Sequence, residues 1–222
     1  MTINYNLINA LNLRYQALSV EARIKTLYND FNLTDVMCTS SFGANSAFLL
    51  KYMVSLVPEQ VIHFIDTGNH FEETIQYRDE LIKTLNLNTE VVTASPEIHQ
   101  FTRENETWKD NPEHCCHLKK VVPIQQIKSS HKVWISGLMD WQSDHRASLS
   151  IFEMKRGMLK FYPLLDKSKK DFDSFLEKHK LPSHPLLSKG YSSIGCTHCT
   201  KKGLDRLGRW FGTAKTECGL HL

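Results

Sequence analysis

The chain has 222 residues, 27 Lys and Arg against 24 Asp and Glu, and a net charge of +3, so it can bury a sizeable core but carries no strong field for a polyanion, which argues against nucleic acid as a partner. No apolar run approaches the ~20 residues that cross a bilayer, and TINYNLINALNLRYQ lacks the basic start and apolar run of a signal peptide. These features predict a cytoplasmic protein, not a membrane one, whose six cysteines stay reduced and serve as ligands, a nucleophile and core filler rather than as three disulfides.

Helical apolar spacing marks residues 7 to 30, with a second helix starting after Ser19, a good N-cap, and running to Phe31. Asp35-Val36-Met37-Cys38-Thr39 reads as a buried strand in which Cys38 is core filler. The small-residue turn Ser40-Ser41-Phe42-Gly43-Ala44-Asn45-Ser46 leads into a helix from Ala47. Strand, turn and helix together make an anion site, because the N–H groups at the helix start carry partial positive charge. No Walker loop is present. Gln60 to Ile65 is the next strand, ending in Asp66-Thr67-Gly68 before a helix from about 71 to 85. In an open parallel sheet ligands sit outside the carboxyl ends of strands, which places Asp66 and Thr67 beside the Ser41 loop, to hydrogen-bond a ribose or position a base, with Asp66 as a cap of the next helix the equal alternative. Glu90 to Ala94 completes a β-α-β-α-β pattern. Residues 96 to 114 read as a polar, turn-rich surface excursion covering the site. Lys132 to Ser136 is a further strand, 149–154 and 159–162 form a hairpin around Lys155-Arg156-Gly157, and 169–179 is a helix with a solvated charged face.

The cysteines ask for a ligand. Cys115-Cys116 and Cys196-Thr197-His198-Cys199 supply four sulfurs, a set suited to zinc or an iron–sulfur cluster, with an independent redox C-x-x-C as a third option. The tandem pair suits zinc-knuckle geometry poorly, which leaves iron–sulfur slightly ahead. The last stretch, 191 to 222, adds Arg206 and Arg209 one helical turn apart and a lone Cys218 four residues from the terminus. One thiol on a terminal segment suggests a nucleophile that visits both a substrate in its pocket and a partner in solvent.

Together these motifs resemble the assimilatory sulfonucleotide reductases, the adenylyl-sulfate (APS) and 3′-phosphoadenylyl-sulfate (PAPS) reductases. The likeness rests on Ser40-Ser41-Phe42-Gly43, Asp66-Thr67-Gly68, Gln142-Ser143-x-x-Arg146, Gly195-Cys196-x-x-Cys199-Thr200, Arg206-x-x-Arg209-Trp210 and Glu217-Cys218-Gly219-Leu220-His221. The Ser41 loop is also similar to the S-G-G-x-D-S pyrophosphate loop of adenylating enzymes, with Phe42 and Asn45 as departures that argue against ATP cleavage there. The resemblance implies an open, mostly parallel α/β sheet flanked by helices (adenine nucleotide alpha-hydrolase-like, pyrophosphate-loop type). It divides the chain into a nucleotide-binding domain, residues 1 to 202, and a mobile C-terminal tail, residues 203 to 222.

Members with the full cysteine set look like APS reductases carrying a 4Fe–4S cluster, here on Cys115, Cys116, Cys196 and Cys199, and the family pattern sets Lys120 between cluster and substrate. The implied reaction is attack of the Cys218 thiolate on the sulfur of APS, release of AMP, and discharge of the Cys–S–sulfonate by thioredoxin or glutaredoxin as sulfite. Ser40, Ser41, Phe42, Gly43, Asp66, Thr67, Gly68, Lys120, Arg146, Arg206 and Arg209 then hold the substrate, and His221 is a candidate for proton transfer. One departure stands out: where relatives carry G-x-R-R-[DE]-Q-S, this chain has Gly137-Leu138-Met139-Asp140-Trp141-Gln142-Ser143. Two lost cations make a 3′-phosphate less welcome and lean toward APS. PAPS reduction, a pyrophosphate-loop ATP-dependent ligase or sulfurtransferase, and a non-catalytic iron–sulfur protein are the alternatives. A homo-oligomer stays open.

Overall fold

The computed structural model describes residues 5–213 and 215–220. Helices α1 (Tyr5–Gln16) and α2 (Val20–Asp30) open the chain. The Ser19 hydroxyl accepts from Ala22 N at 3.2 Å, the cap its position predicts. Arg23 on α2 is buried, yet its guanidinium donates two 2.7 Å bonds to Asp166, so the charge is paired where it is desolvated.

Six strands form one sheet among the described residues: β1 (Val36–Ser40), β2 (Ile62–Asp66), β3 (Thr89–Thr93), β4 (Val133–Ile135), β5 (Phe152–Lys155) and β6 (Met158–Phe161). Their spatial order is β3-β2-β1-β4-β6-β5, parallel throughout except for the β5–β6 hairpin. That hairpin turns on Arg156 (φ 49°) and Gly157 (φ 74°), the two left-handed positions that a tight two-residue turn needs. Helices α3 (Ser46–Leu56) and α4 (Glu72–Leu85) carry the chain from β1 to β2 and from β2 to β3.

Strand residues alternate between two cores, as a pleated strand requires. Val36, Cys38, Ile62, Phe64, Val133, Ile135, Leu159 and Phe161 pack toward α1, α2 and α3. Cys38 is fully buried there, and burial pushes its thiol up to about 12, consistent with filler rather than chemistry. Met37, Ile65, Val92, Trp134 and Met158 pack on the other face with Ile124, and Leu220 near the C-terminus leans against them.

The segment 96–114 differs from its polar, turn-rich reading. It holds α5 (Pro96–Glu104), α6 (Thr107–Asp110) and the start of α7 (Pro112–Cys116). Ser95 and Asn111 accept from Ile98 N and His114 N, and each precedes a proline at the first helical position, where a missing N–H costs nothing. The helical path then runs from α7 through a π-helical turn (His117–Val121) into α8 (Val122–Ser129), so that Cys115, Cys116, Lys119 and Lys120 lie on one continuous rod. Helices α9 (Asp144–Ala147) and α10 (Lys169–Lys178) follow β4 and β6.

The described residues of the C-terminal segment lie docked. Trp210 is 3 % exposed and Glu217 1 %. His221 lies outside the described residues.

Candidate active site

Chain order along the sheet reverses between β1 and β4, because β1 continues outward to β2 and β3 while β4 starts the other half. The loops leaving two such strands diverge and open a crevice at their carboxyl ends. A cavity of about 390 Å³ lies there, lined by Ser40, Ser41 and Gly43 at the end of β1 and by Ser136 to Leu138 after β4. Asn45 and Ser46, at the N-terminus of α3, line it too, which points the positive end of that helix inward.

Of the residues expected to meet the substrate, Ser40, Ser41, Gly43, Lys120, Arg146, Arg206 and Arg209 line this cavity, together with Cys218. Phe42 does not. Its backbone is left-handed (φ 47°), its N–H donates to Ser40 Oγ at 3.1 Å, and its ring is fully buried edge-on against Phe64 at 5.6 Å. Asp66, Thr67 and Gly68 form a tight turn outside the cavity, with Gly68 N donating to Asp66 Oδ1 at 2.7 Å and Gly68 at φ 67°. Thr67 faces the cysteines instead: its hydroxyl is 3.2 Å from Cys196 Sγ, and its carbonyl accepts from Lys119 Nζ at 3.0 Å. Met139 and Asp140, where the resemblance leads one to expect arginine, do not line the cavity either. Met139 is fully buried in the main core, and Asp140 N donates to Leu165 O at 2.9 Å. Trp141 and Gln142, the next two residues, do reach the cavity.

Glu217 anchors the C-terminal segment, a function its place in the sequence motif did not reveal. Its carboxylate accepts from Arg146 Nε at 2.9 Å, Arg206 Nη2 at 3.0 Å and Ser143 Oγ at 2.9 Å. Burial raises its pKa, but Arg146 and Arg206 outweigh that and hold it below the usual carboxylate range. Arg206, crowded by burial and by Arg146, falls to about 10. Arg209 Nη1 donates to Ile194 O at 3.2 Å, and its guanidinium lies 4.3 Å from the centre of the Trp210 ring. Gly195 is what admits it: a Cβ there would stand 2.3 Å from Arg209 Nη2.

Next to Glu217, Cys218 neighbours Cys116, with Lys120 and Arg209 close by. These groups outweigh burial and favour thiolate, well below the ordinary thiol range. The influence is mutual. Burial would depress Lys120, but the sulfurs of Cys218, Cys196 and Cys116 raise it above its usual value.

Cys115, Cys116, Cys196 and Cys199 line a second, smaller pocket on the far side of Lys120, with Lys119, Trp108 and His198. The Trp108 and His198 rings stack across its mouth at 4.0 Å and 11°. Burial, then the charge of Cys196, pushes the Cys199 thiol up to about 11. Among the described residues no group of three or more His, Cys, Asp and Glu side chains is arranged to hold a metal ion. No described helix is long and apolar enough to cross a membrane.

Among the described residues, four buried donors without a partner belong to the large cavity: Ser136 Oγ, Trp141 Nε1, Arg206 Nε and Arg209 Nε. Buried donors are rarely left unpaired. The cations and the loop at the start of α3 describe a site prepared for an oxygen-rich anion. Neither Ser136 nor Trp141 stood out in the sequence, since a strand-end serine and a loop tryptophan are common and only the fold brings them to the wall of one cavity.

Comparison with known proteins agrees with this geometry. The profile of the phosphoadenosine phosphosulfate reductase domain matches residues 35–202. An adenosine 5′-phosphosulfate reductase of Chelativorans sp. is 37% identical over 96% of this chain and 89% of its own length. One of Mesorhizobium japonicum is 36% identical over 91% and 81%. A phosphoadenosine 5′-phosphosulfate reductase of Gloeobacter violaceus is 34% identical over 100% and 96%. In fold, the chain is similar to the crystal structure of phosphoadenylyl-sulfate reductase from Candida auris in a phosphate complex, with a TM-score of 0.77 and 22% identity, covering 90% of this chain and 99% of that one. It is also similar to FMN adenylyltransferase of Candida glabrata, with a TM-score of 0.60 and 15% identity over 91% and 69%. The chain belongs to the phosphoadenosine phosphosulfate reductase family.

Proposed function

We propose that the protein reduces adenosine 5′-phosphosulfate to sulfite and AMP in assimilatory sulfate reduction, with Cys218 as the nucleophile. The observation that carries this is one shared space: Cys218, the Ser40–Ser41–Gly43 loop and the cations Lys120, Arg146, Arg206 and Arg209 line the same cavity. The loop and the N-terminus of α3 receive phosphate oxygens. Arginine forks and the Lys120 ammonium receive the sulfate oxygens, and the same charges favour a thiolate at Cys218. The thiolate attacks the sulfur of the bound substrate, the sulfur–oxygen bond to AMP breaks, and AMP leaves with that oxygen's electron pair. An external dithiol of the thioredoxin or glutaredoxin kind then attacks the Cys218 side of the S–S bond, releasing sulfite and leaving a mixed disulfide that its second thiol resolves. This route divides one hard displacement into two easier ones. Segment 203–222 must leave the cavity for the second half, acting as a tail on the nucleotide-binding domain that spans residues 1–202.

The cysteine pocket suits a 4Fe–4S cluster. Its donors are four sulfurs, no carboxylate lines it among the described residues, and Lys119 and Lys120 stand ready to balance negative charge. Bound there, the cluster would fix the charge distribution behind Lys120 and tie the α7 rod to the segment carrying Cys196 and Cys199. APS is favoured over PAPS because neither Met139 nor Asp140 supplies the cation that relatives carry.

The test is thioredoxin-dependent sulfite release from APS and PAPS, side by side, on anaerobically purified protein whose iron and acid-labile sulfide have been measured. Turnover with APS exceeds that with PAPS, and Cys218→Ser abolishes both while AMP still binds. Substantial residual turnover by Cys218→Ser would remove Cys218 as the nucleophile.

A further inference from the structure

Lys160 is a buried cationic side chain that the reaction above does not use. It projects from β6, is 3 % exposed, and is not ion-paired to a carboxylate among the described residues. Its Nζ sits 3.1 Å from the centre of the Trp134 ring and donates a hydrogen bond to Leu220 O at 3.0 Å. Burial, with Lys128 and Arg156 nearby, pushes the amine down to about 6, while Cys218 pulls it the other way. A desolvated amine on a sheet strand costs stability that a Met or Leu there would not. What this amine holds is the main chain two residues beyond Cys218.

The contact continues in both directions. Leu220 packs its side chain against the apolar face formed by Met37, Ile65, Trp134 and Met158. Behind it, Trp134 Nε1 donates to Thr39 Oγ1 at 2.8 Å, and Thr39 lines the substrate cavity. On the other side of Cys218, Glu217 is pinned by Arg146 and Arg206. The nucleophile is therefore flanked by an acidic fastener, with Lys215 paired to Glu113 just before it, and by a main-chain carbonyl. At the carbonyl fastener the polar hold is a single hydrogen bond, beside the packing of Leu220.

We propose that Lys160 is a positioning residue for the reaction: by holding Leu220 O it keeps the Cys218 sulfur in the cavity, and release of that bond is the first step by which the tail leaves to meet the external thiol. This rests on the assignment of Cys218 as nucleophile.

Lys160→Met tests it, because methionine keeps the apolar stem over Trp134 and deletes only the donor. In the full-length, anaerobically purified protein, alkylation of Cys218 by iodoacetamide, followed by peptide mass, becomes about tenfold faster, the equivalent of one net hydrogen bond. The kcat for APS falls by a similar factor, while KM for APS and the Kd for AMP stay as in the parent. A merely structural role would instead move AMP affinity with kcat. Unchanged alkylation, or AMP affinity lost in step with kcat, overturns the proposal. A second measurement needs no change at Lys160. Acylation of Lys160 by an amine-reactive ester is slow in the parent and fast in Glu217→Ala, where the other fastener is gone; equal rates overturn the proposal. Alkylation and acylation do not depend on turnover, so failure of Cys218 as nucleophile, read from Cys218→Ser, is a separate result.

Discussion

Cys218, Arg209 and Gly195 belong to one local argument. The Arg209 guanidinium reaches the cavity only because residue 195 has no side chain, and it spends one donor on Ile194 O while Nε stays unpartnered. Gly195→Ala forces that fork aside, at an overpacking cost of about 1–3 kcal/mol. The expected outcome is a KM for APS raised about tenfold or more, with Cys218 alkylation little changed, measured by steady-state kinetics. Much of this was readable as motif: the two arginines, the glycine before the C-x-x-C and the Glu-Cys pair all stand at recognisable spacings. The Phe42 ring was not. A residue inside a phosphate loop looks like a contact, yet a left-handed backbone turns this ring into the core beside Phe64 and leaves only its main chain near the loop. Lys160 was equally hidden, since one lysine in a hairpin looks like surface until the C-terminal segment is seen lying on it.

At the scale of elements, strands β1, β2, β3 and β4 and helices α3 and α4 follow from period and turn chemistry, because buried parallel strands bounded by small residues leave few alternatives. The rod from α7 to α8 and the two helices before it, α5 and α6, were not legible. Their polar composition hides short helices stabilised by Ser95 and Asn111 caps and by packing over the cysteines. The docked C-terminal segment is the element on which the proposed reaction turns. Its acidic fastener, Glu217, sits between Arg146 and Arg206 in buried surroundings. Removing one partner of such a network strands the others and typically costs about 3–5 kcal/mol. Glu217→Ala is therefore expected to undock 203–222 in most molecules. Sulfite release should fall by at least about a hundredfold, and limited proteolysis should cut the tail while leaving 5–202 intact.

Across the whole molecule, the sheet, its cores and the connector after α10 are joined by buried polar links whose protonation contributes to the loss of stability in acid. His184 is 1 % exposed, its Nε2 lies 3.1 Å from Thr74 Oγ1 on α4, and Tyr77 OH donates to Pro182 O at 3.0 Å beside it. Burial, opposed by Glu73, lowers His184 from 6.5 to about 4. The folded state therefore binds fewer protons than the unfolded one between these values, and its stability is full above pH 6.5 and declines as pH falls toward 4. The ceiling is about 3 kcal/mol, at about 1.4 kcal/mol per unit. Urea unfolding of the parent should show that decline, and His184→Asn should show a shallower one. The cavity itself lies where strand order reverses, a whole-molecule property that the alternation of strands and helices already implied. Which side chains converge there from residues 40, 120, 146, 206 and 218 was anticipated by resemblance and is explained only by the fold.

The measurement closest to the central claim is the peptide mass of Cys218 after incubation with APS in the absence of any thiol donor. A single sulfonate group on Cys218, formed in equal amount with AMP and discharged as sulfite when thioredoxin is added, is the predicted result. AMP release with Cys218 unmodified, or a sulfonate carried by another cysteine, would contradict the account.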